Sequence, residues 1–115
     1  MATISEQQLH SKCFIWFHNT YISERGMLHH NNNNSHNLVA GNKMKAMGVV
    51  AGVSDFELIL PRGIVAFIEM KTVTGQLAEE QKRFCAMVTL RGHLYFVVRT
   101  FEDFVKLIKT LLNGL

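Results

Sequence analysis

The chain has 115 residues, 48% of them apolar and 18% charged, with a formal net charge of +3. That length allows one hydrophobic core and one domain spanning 1–115, and the composition excludes a disordered tail. A sequence pI of about 9.1 permits a polyanionic partner without requiring one.

The two cysteines, Cys13 and Cys85, lie far apart within amphipathic runs. They are expected to be buried thiols in a reducing compartment, not a disulfide or a metal pair. The N-terminus is too polar and acidic for a signal peptide, and no apolar run approaches the roughly 18 residues of a membrane span. A soluble, cytoplasmic protein without membrane association is therefore expected.

In chain order, residues 5–18 are predicted to form a helix, with Ser5 as its cap and Gln8 at the capping-box position. Leu9, Cys13, Trp16 and Phe17 recur along it with helical period. Trp16 and Phe17 are candidates for the core or for a dimer face. Residues 27–30 fit a short edge strand, leading into a long polar loop rich in asparagine and histidine. A short helix over 38–47 and a stretch flanked by Gly48 and Gly52 come next. Residues 54–60 and 64–71 read as strands joined by the turn Pro61–Gly63. The second of them is apolar on both faces, as a central strand would be.

A loop at 72–76 precedes a helix over 78–91, with Phe84, Met87, Val88 and Arg91 spaced along one side and Gly92 ending it. Residues 93–99 are strongly β-prone. Thr100 then caps a last helix bearing Phe101, Phe104, Val105, Ile108, Leu111 and Leu112 on one side. A strand, a helix and another strand in succession favour a crossover, and hence a mixed sheet with helices on both faces.

The chemistry concentrates at the mouth of the hairpin. Antiparallel pairing brings Asp55, at the start of the first strand, to Glu69, at the end of the second. Alternation puts Lys71 on the same face as Glu69, with Met70 opposite. Asp55, Glu69 and the Met70 carbonyl could hold a hard divalent cation such as Mg²⁺ or Mn²⁺, with Lys71 beside an attacking water. That set suits metal-assisted phosphodiester hydrolysis. The competing explanation makes Asp55 and Glu57 solvent-facing and pairs Glu69 with Lys71 as surface ions. Its difficulty is that both charges directly follow the most apolar strand.

Four segments together resemble a stand-alone VRR-NUC domain of the PD-(D/E)xK nuclease superfamily. They are KMKAMGVVAGVSD from Lys43 to Asp55, IEMK ending at Lys71, GQLAEEQ ending at Gln81, and GHLYFVV from Gly92. The resemblance implies an α/β restriction-endonuclease-like core of order αβββαβ, here with an extra C-terminal helix. It also implies divalent-metal-dependent hydrolysis of DNA, with no small-molecule cofactor. Asp55 and Glu69 then match the metal ligands, and Lys71 matches the catalytic lysine. Glu6 matches an acidic residue that completes the metal site, and Gln81 a glutamine of the following helix. Ser54 departs from the pattern, standing where the family usually has proline. Stand-alone members resemble Holliday-junction resolvases, which implies a homodimer acting on branched DNA in repair and recombination.

Lys43, Lys45, Lys82 and Arg83 are the leading candidates for DNA phosphate contacts. His29, His30 and His36 are better read as a polar loop than as a zinc site, and Arg62 as a solvated turn residue away from the metal. The alternative function is a catalytically silent DNA-binding module of the same fold.

Overall fold

The computed structural model describes residues 4–31 and 38–113. The polar segment 32–37, including Asn32 and His36, lies outside the described residues. The elements are α1 (Glu6–Thr20), β1 (Leu28–His30), α2 (Leu38–Ala46), β2 (Phe56–Ile59), β3 (Val65–Met70), α3 (Glu79–Leu90), β4 (Leu94–Val98) and α4 (Phe101–Asn113). None of the described helices is long and apolar enough to cross a membrane.

The described strands form a mixed sheet in the order β1-β2-β3-β4. The first three pair antiparallel, and β3 pairs with β4 in parallel, as a connection through α3 requires. Alternation along β3 sends Ala66, Ile68 and Met70 to one face, where they are fully buried with Phe56, Leu58 and Val98. The helices α1 and α4 cover that face through Leu9, Cys13, Phe17, Phe104 and Ile108. The opposite face carries Phe67, which meets Phe84 of α3 edge-on at 5.0 Å. Glu69 shares this second face by the same alternation. Helices thus flank both sides of the sheet.

Local chemistry explains the element ends. Ser5 and Gln8 form a reciprocal capping box, with the Gln8 N–H donating to Ser5 Oγ at 3.0 Å and the Ser5 N–H to Gln8 Oε1 at 2.8 Å. This fixes the first turn of α1, where Glu6 sits. Trp16 is half-buried and meets Phe101 and Phe104 edge-on, and Phe17 is fully buried, so both serve the core. At the far end of the hairpin Arg62 is exposed in the tight turn Pro61–Gly63.

The strands are shorter than their sequence pattern suggests: Ser54 and Asp55 precede β2, and Lys71 follows β3. The stripe expected on α3 is also corrected. Val88 is its buried residue, whereas Met87 is 53% exposed and Arg91 lies beyond the helix in solvent. The helix leans on β3 and β4 through Phe84 and Val88 and leaves its other sides to water. In α4, Leu107 joins the residues packed on the core, while Val105 is only half-buried.

The approach to β2 is held against α3. Gly52 has φ +91°, and a Cβ there would overlap the Glu80 carbonyl in the first turn of α3. Gly48 has a similar φ of +101° but open space around it. Alanine carries left-handed strain of about 1–2 kcal/mol at either position, and at Gly52 it must also displace α3. Thermal unfolding of Gly52→Ala is therefore expected at least about 4 °C below that of Gly48→Ala. Equal midpoints would show that this contact does not constrain the fold.

Candidate active site

The register of β2 and β3 sets Phe56 against Ile68, so the next pair outward is Asp55 and Glu69. The Asp55 carboxylate ends the ladder as a backbone group would: its Oδ2 accepts the Met70 N–H at 2.7 Å. Behind it, Asn31 donates its backbone N–H to the Asp55 carbonyl at 2.8 Å and its side-chain amide to the Ser54 carbonyl at 3.1 Å. Ser54 is fully buried, and its hydroxyl donates to the Phe56 carbonyl at 2.9 Å. That bond fixes the backbone before β2, where the VRR-NUC pattern uses proline.

Glu69 is 2% exposed. From α3, Gln81 Nε2 donates to Glu69 Oε2 at 3.3 Å, while Gln81 Oε1 accepts the Ala78 N–H at 2.8 Å. The amide is thereby oriented by the helix start that it caps. Glu6 arrives from the first turn of α1. Carboxylate oxygens of Glu6, Asp55 and Glu69 all lie within 4.8 Å of one another.

Lys71 leaves β3 with its backbone N–H on the Val98 carbonyl at 3.0 Å. Its stem passes Gly75, where an added Cβ would lie 3.4 Å from Lys71 Cδ. The loop after it is strapped by Arg99, whose guanidinium donates to the Thr72 carbonyl at 2.8 Å and the Gly75 carbonyl at 2.6 Å. Arg99 carried no signal in sequence beyond being the charge that ends a β-prone run.

Burial pushes the Glu69 carboxyl up to about 9; the Asp55 carboxylate beside it adds to the rise, and the Lys71 charge opposes it in part. Glu6 is raised as well, by burial first and Asp55 second. The Tyr95 hydroxyl, buried with no hydrogen-bond partner among the described residues, is raised by burial and then by Glu69. Among the described residues the ion pair within 4.0 Å is Lys82 with Glu79, at 3.5 Å. Glu69 therefore has no cation in contact, and a surface ion pair with Lys71 is excluded.

Three carboxylates this close repel unless a proton or a cation joins them. Their hard anionic oxygens fit Mg²⁺ or Mn²⁺ far better than a soft metal. The Met70 carbonyl belongs to the same strand end. The remaining candidates sit apart: Lys43 and Lys45 are exposed on α2, and Lys82 and Arg83 on the first turns of α3. His29 bonds the Gly26 carbonyl and His30 the Asp55 carbonyl, so the two rings are committed to separate backbone partners.

The class is therefore a mixed-sheet α/β domain with acidic groups and a lysine at the end of its central hairpin. The VRR-NUC domain family model matches residues 4–102, and the chain belongs to that family, for which DNA is the implied substrate. Two solved structures share the fold. One, described as a VRR_NUC domain protein, superposes with a TM-score of 0.81 at 18% identity, covering 98% of this chain and 92% of its own. The other, described as a VRR_NUC domain, has a TM-score of 0.56 at 24% identity over 86% of this chain and 92% of its own. None of the curated proteins compared with the chain matches it.

The Glu69 shift gives a signed expectation. The folded chain keeps this proton up to about 9, whereas an ordinary glutamate releases it near 4.5. The folded state thus binds more protons across that window, and stability falls as pH rises through it. Metal-free protein should melt several degrees lower at pH 8 than at pH 6, and Glu69→Gln should flatten that slope. Mn²⁺ at pH 8 should raise the wild-type midpoint more than that of Glu69→Gln. An unchanged slope in Glu69→Gln would contradict the assignment.

Proposed function

We propose that this chain acts as one domain, a divalent-metal-dependent DNA endonuclease that hydrolyses phosphodiester bonds. The observation that carries this reading is a buried Glu69 that, among the described residues, has no contacting cation and is held within reach of two further carboxylates. When bound, Mg²⁺ or Mn²⁺ polarises a phosphoryl oxygen and lowers the pKa of a water. Asp55 and Glu69 supply the anionic oxygens that hold it, with Glu6 and the Met70 carbonyl completing the protein's share. Glu69 would release its proton to solvent on binding of the cation.

Gln81 keeps the Glu69 carboxylate in one orientation through its amide bond. The Asp55 carboxylate is fixed by the Met70 N–H, so neither donor reorganises when substrate arrives. Lys71, carried on a stem packed at Gly75, neutralises charge that builds on the phosphorus oxygens as the P–O bond to the leaving strand breaks. Lys43, Lys45, Lys82 and Arg83 are proposed to position the DNA through its phosphates.

Branched DNA such as a four-way junction is the proposed substrate, cut by a homodimer in repair or recombination, as the resemblance to stand-alone VRR-NUC domains implies. Exposed Met87 and Leu90 on α3, at 53% and 88%, give a second copy apolar surface to cover. Free Cys13 and Cys85 support a reducing, intracellular setting.

The test is cleavage of labelled duplex, flap and four-way-junction DNA with and without Mn²⁺. Asp55→Ala and Glu69→Ala are expected to abolish cutting, and Lys71→Ala to slow it by about 100-fold or more. DNA affinity measured in Ca²⁺ should stay within about threefold of wild type for all three, under 1 kcal/mol. Undiminished cutting by Lys71→Ala would remove the mechanism. Binding without any cutting by wild type would identify a silent DNA-binding module instead.

A further inference from the structure

The proposed mechanism leaves unused a groove that shares a wall with the carboxylates. A cavity of about 530 Å³ is lined by Glu6, Gln7, His10, Ser11, His30 and Asp55. It runs past His10, Ser11 and His30 into an apolar pocket of about 270 Å³ bounded by Phe14 and Ile15. Glu6, His10, Phe14 and His18 stand at intervals of four along α1, one above another on a single face. Each step along that row is about 6 Å, close to the spacing of successive phosphates along one strand.

The row is built firmly. His10 stacks on the buried Phe56 with ring centroids 3.9 Å apart, and His30 meets His10 edge-on at 4.5 Å. Phe14 stacks with His18 at 6.0 Å and with Phe56 at 6.4 Å. A carbonyl oxygen can only accept, so His30 Nδ1 donates to the Asp55 carbonyl at 3.2 Å. That leaves His30 Nε2, which donates to a phosphate when the ring carries both protons. Phe14 and Ile15 remain 38% and 58% exposed beside these polar rings, apolar surface that the core does not cover.

We infer that this groove seats the DNA immediately flanking the scissile phosphate, with an unpaired nucleotide at its end. His10 and His30 take the neighbouring phosphate, and the base stacks on Phe14 over Ile15. Polar rings next to the carboxylates and an apolar platform one step further reproduce the order of phosphate and base along a strand. Base–aromatic stacking tolerates any sequence and adds substantially to affinity for single-stranded segments. This inference rests on the carboxylate cluster being the cleavage centre.

The experiment is a titration of a fluorescein-labelled flap duplex with unpaired nucleotides in Ca²⁺, alongside cleavage of the same DNA in Mn²⁺. His30→Gln and Phe14→Ala alter exposed side chains and should keep the wild-type thermal midpoint. Phe14→Ala is expected to weaken flap binding about tenfold while plain duplex affinity changes by less than about twofold, and His30→Gln, which removes a phosphate contact, should weaken both. His10→Gln should add a further loss, and the two exposed variants decide the matter if it fails to fold. Wild-type flap affinity in both exposed variants, or equal losses on flap and plain duplex for Phe14→Ala, would overturn the groove. In that case normal wild-type cutting would leave the nuclease reading intact. Selective affinity losses without any cutting by wild type would instead uphold the groove and reject the nuclease.

Discussion

The cost of ionising Glu69 at the end of β3 is the constraint around which the rest of the site is arranged. The residue is 2% exposed, lies against the Asp55 carboxylate, and accepts a neutral amide bond from Gln81. A buried anion in that position is unfavourable unless a proton or a cation accompanies it. Lys71 relieves the field without reaching contact. The folded chain thus keeps Glu69 protonated, and the three gathered carboxylates could hold a metal ion in the proton's place.

The fold provides that arrangement through its central strand. β3 is hydrogen-bonded on both sides, antiparallel to β2 and parallel to β4, so its carboxyl end is held from two directions. Asp55 is tied to it by the Met70 N–H, and the Gly52 contact presses the approach to β2 against the start of α3. On the other side, Arg99 straps the loop that follows Lys71. The capping box sets where α1 begins and hence where Glu6 stands. Four separate stretches of chain converge on one point, each fixed by backbone hydrogen bonds and not by side-chain preference alone.

Much of this was legible in the sequence because it depends on short-range rules. Ser5 and Gln8 announce the α1 start, and Pro61 and Gly63 the hairpin turn that brings Asp55 beside Glu69; the place of Glu6 at the site came only from the family resemblance. What was not legible depends on packing between distant elements. That Glu69 is buried follows from where α3 lies, which no local pattern states. Met87 and Arg91 looked like part of the packing stripe, yet Arg91 falls past the helix end and α3 touches the sheet over a narrower face than periodicity implies. His10 was passed over because its meaning comes from Phe56 beneath it and His30 beside it. The row from Glu6 through His10 and Phe14 to His18 was visible as spacing, but only the carboxylate cluster at its end gives that spacing a use.

The most direct measurement is anomalous diffraction from crystals grown with Mn²⁺ near neutral pH. A single strong peak is expected between Asp55 and Glu69, with carboxylate oxygens at about 2.1–2.2 Å and Glu6 reached directly or through water. The Gln81 amide should remain on Glu69. No peak at the cluster under saturating Mn²⁺, or Mn²⁺ bound only elsewhere while Glu69 keeps its proton, would contradict the account.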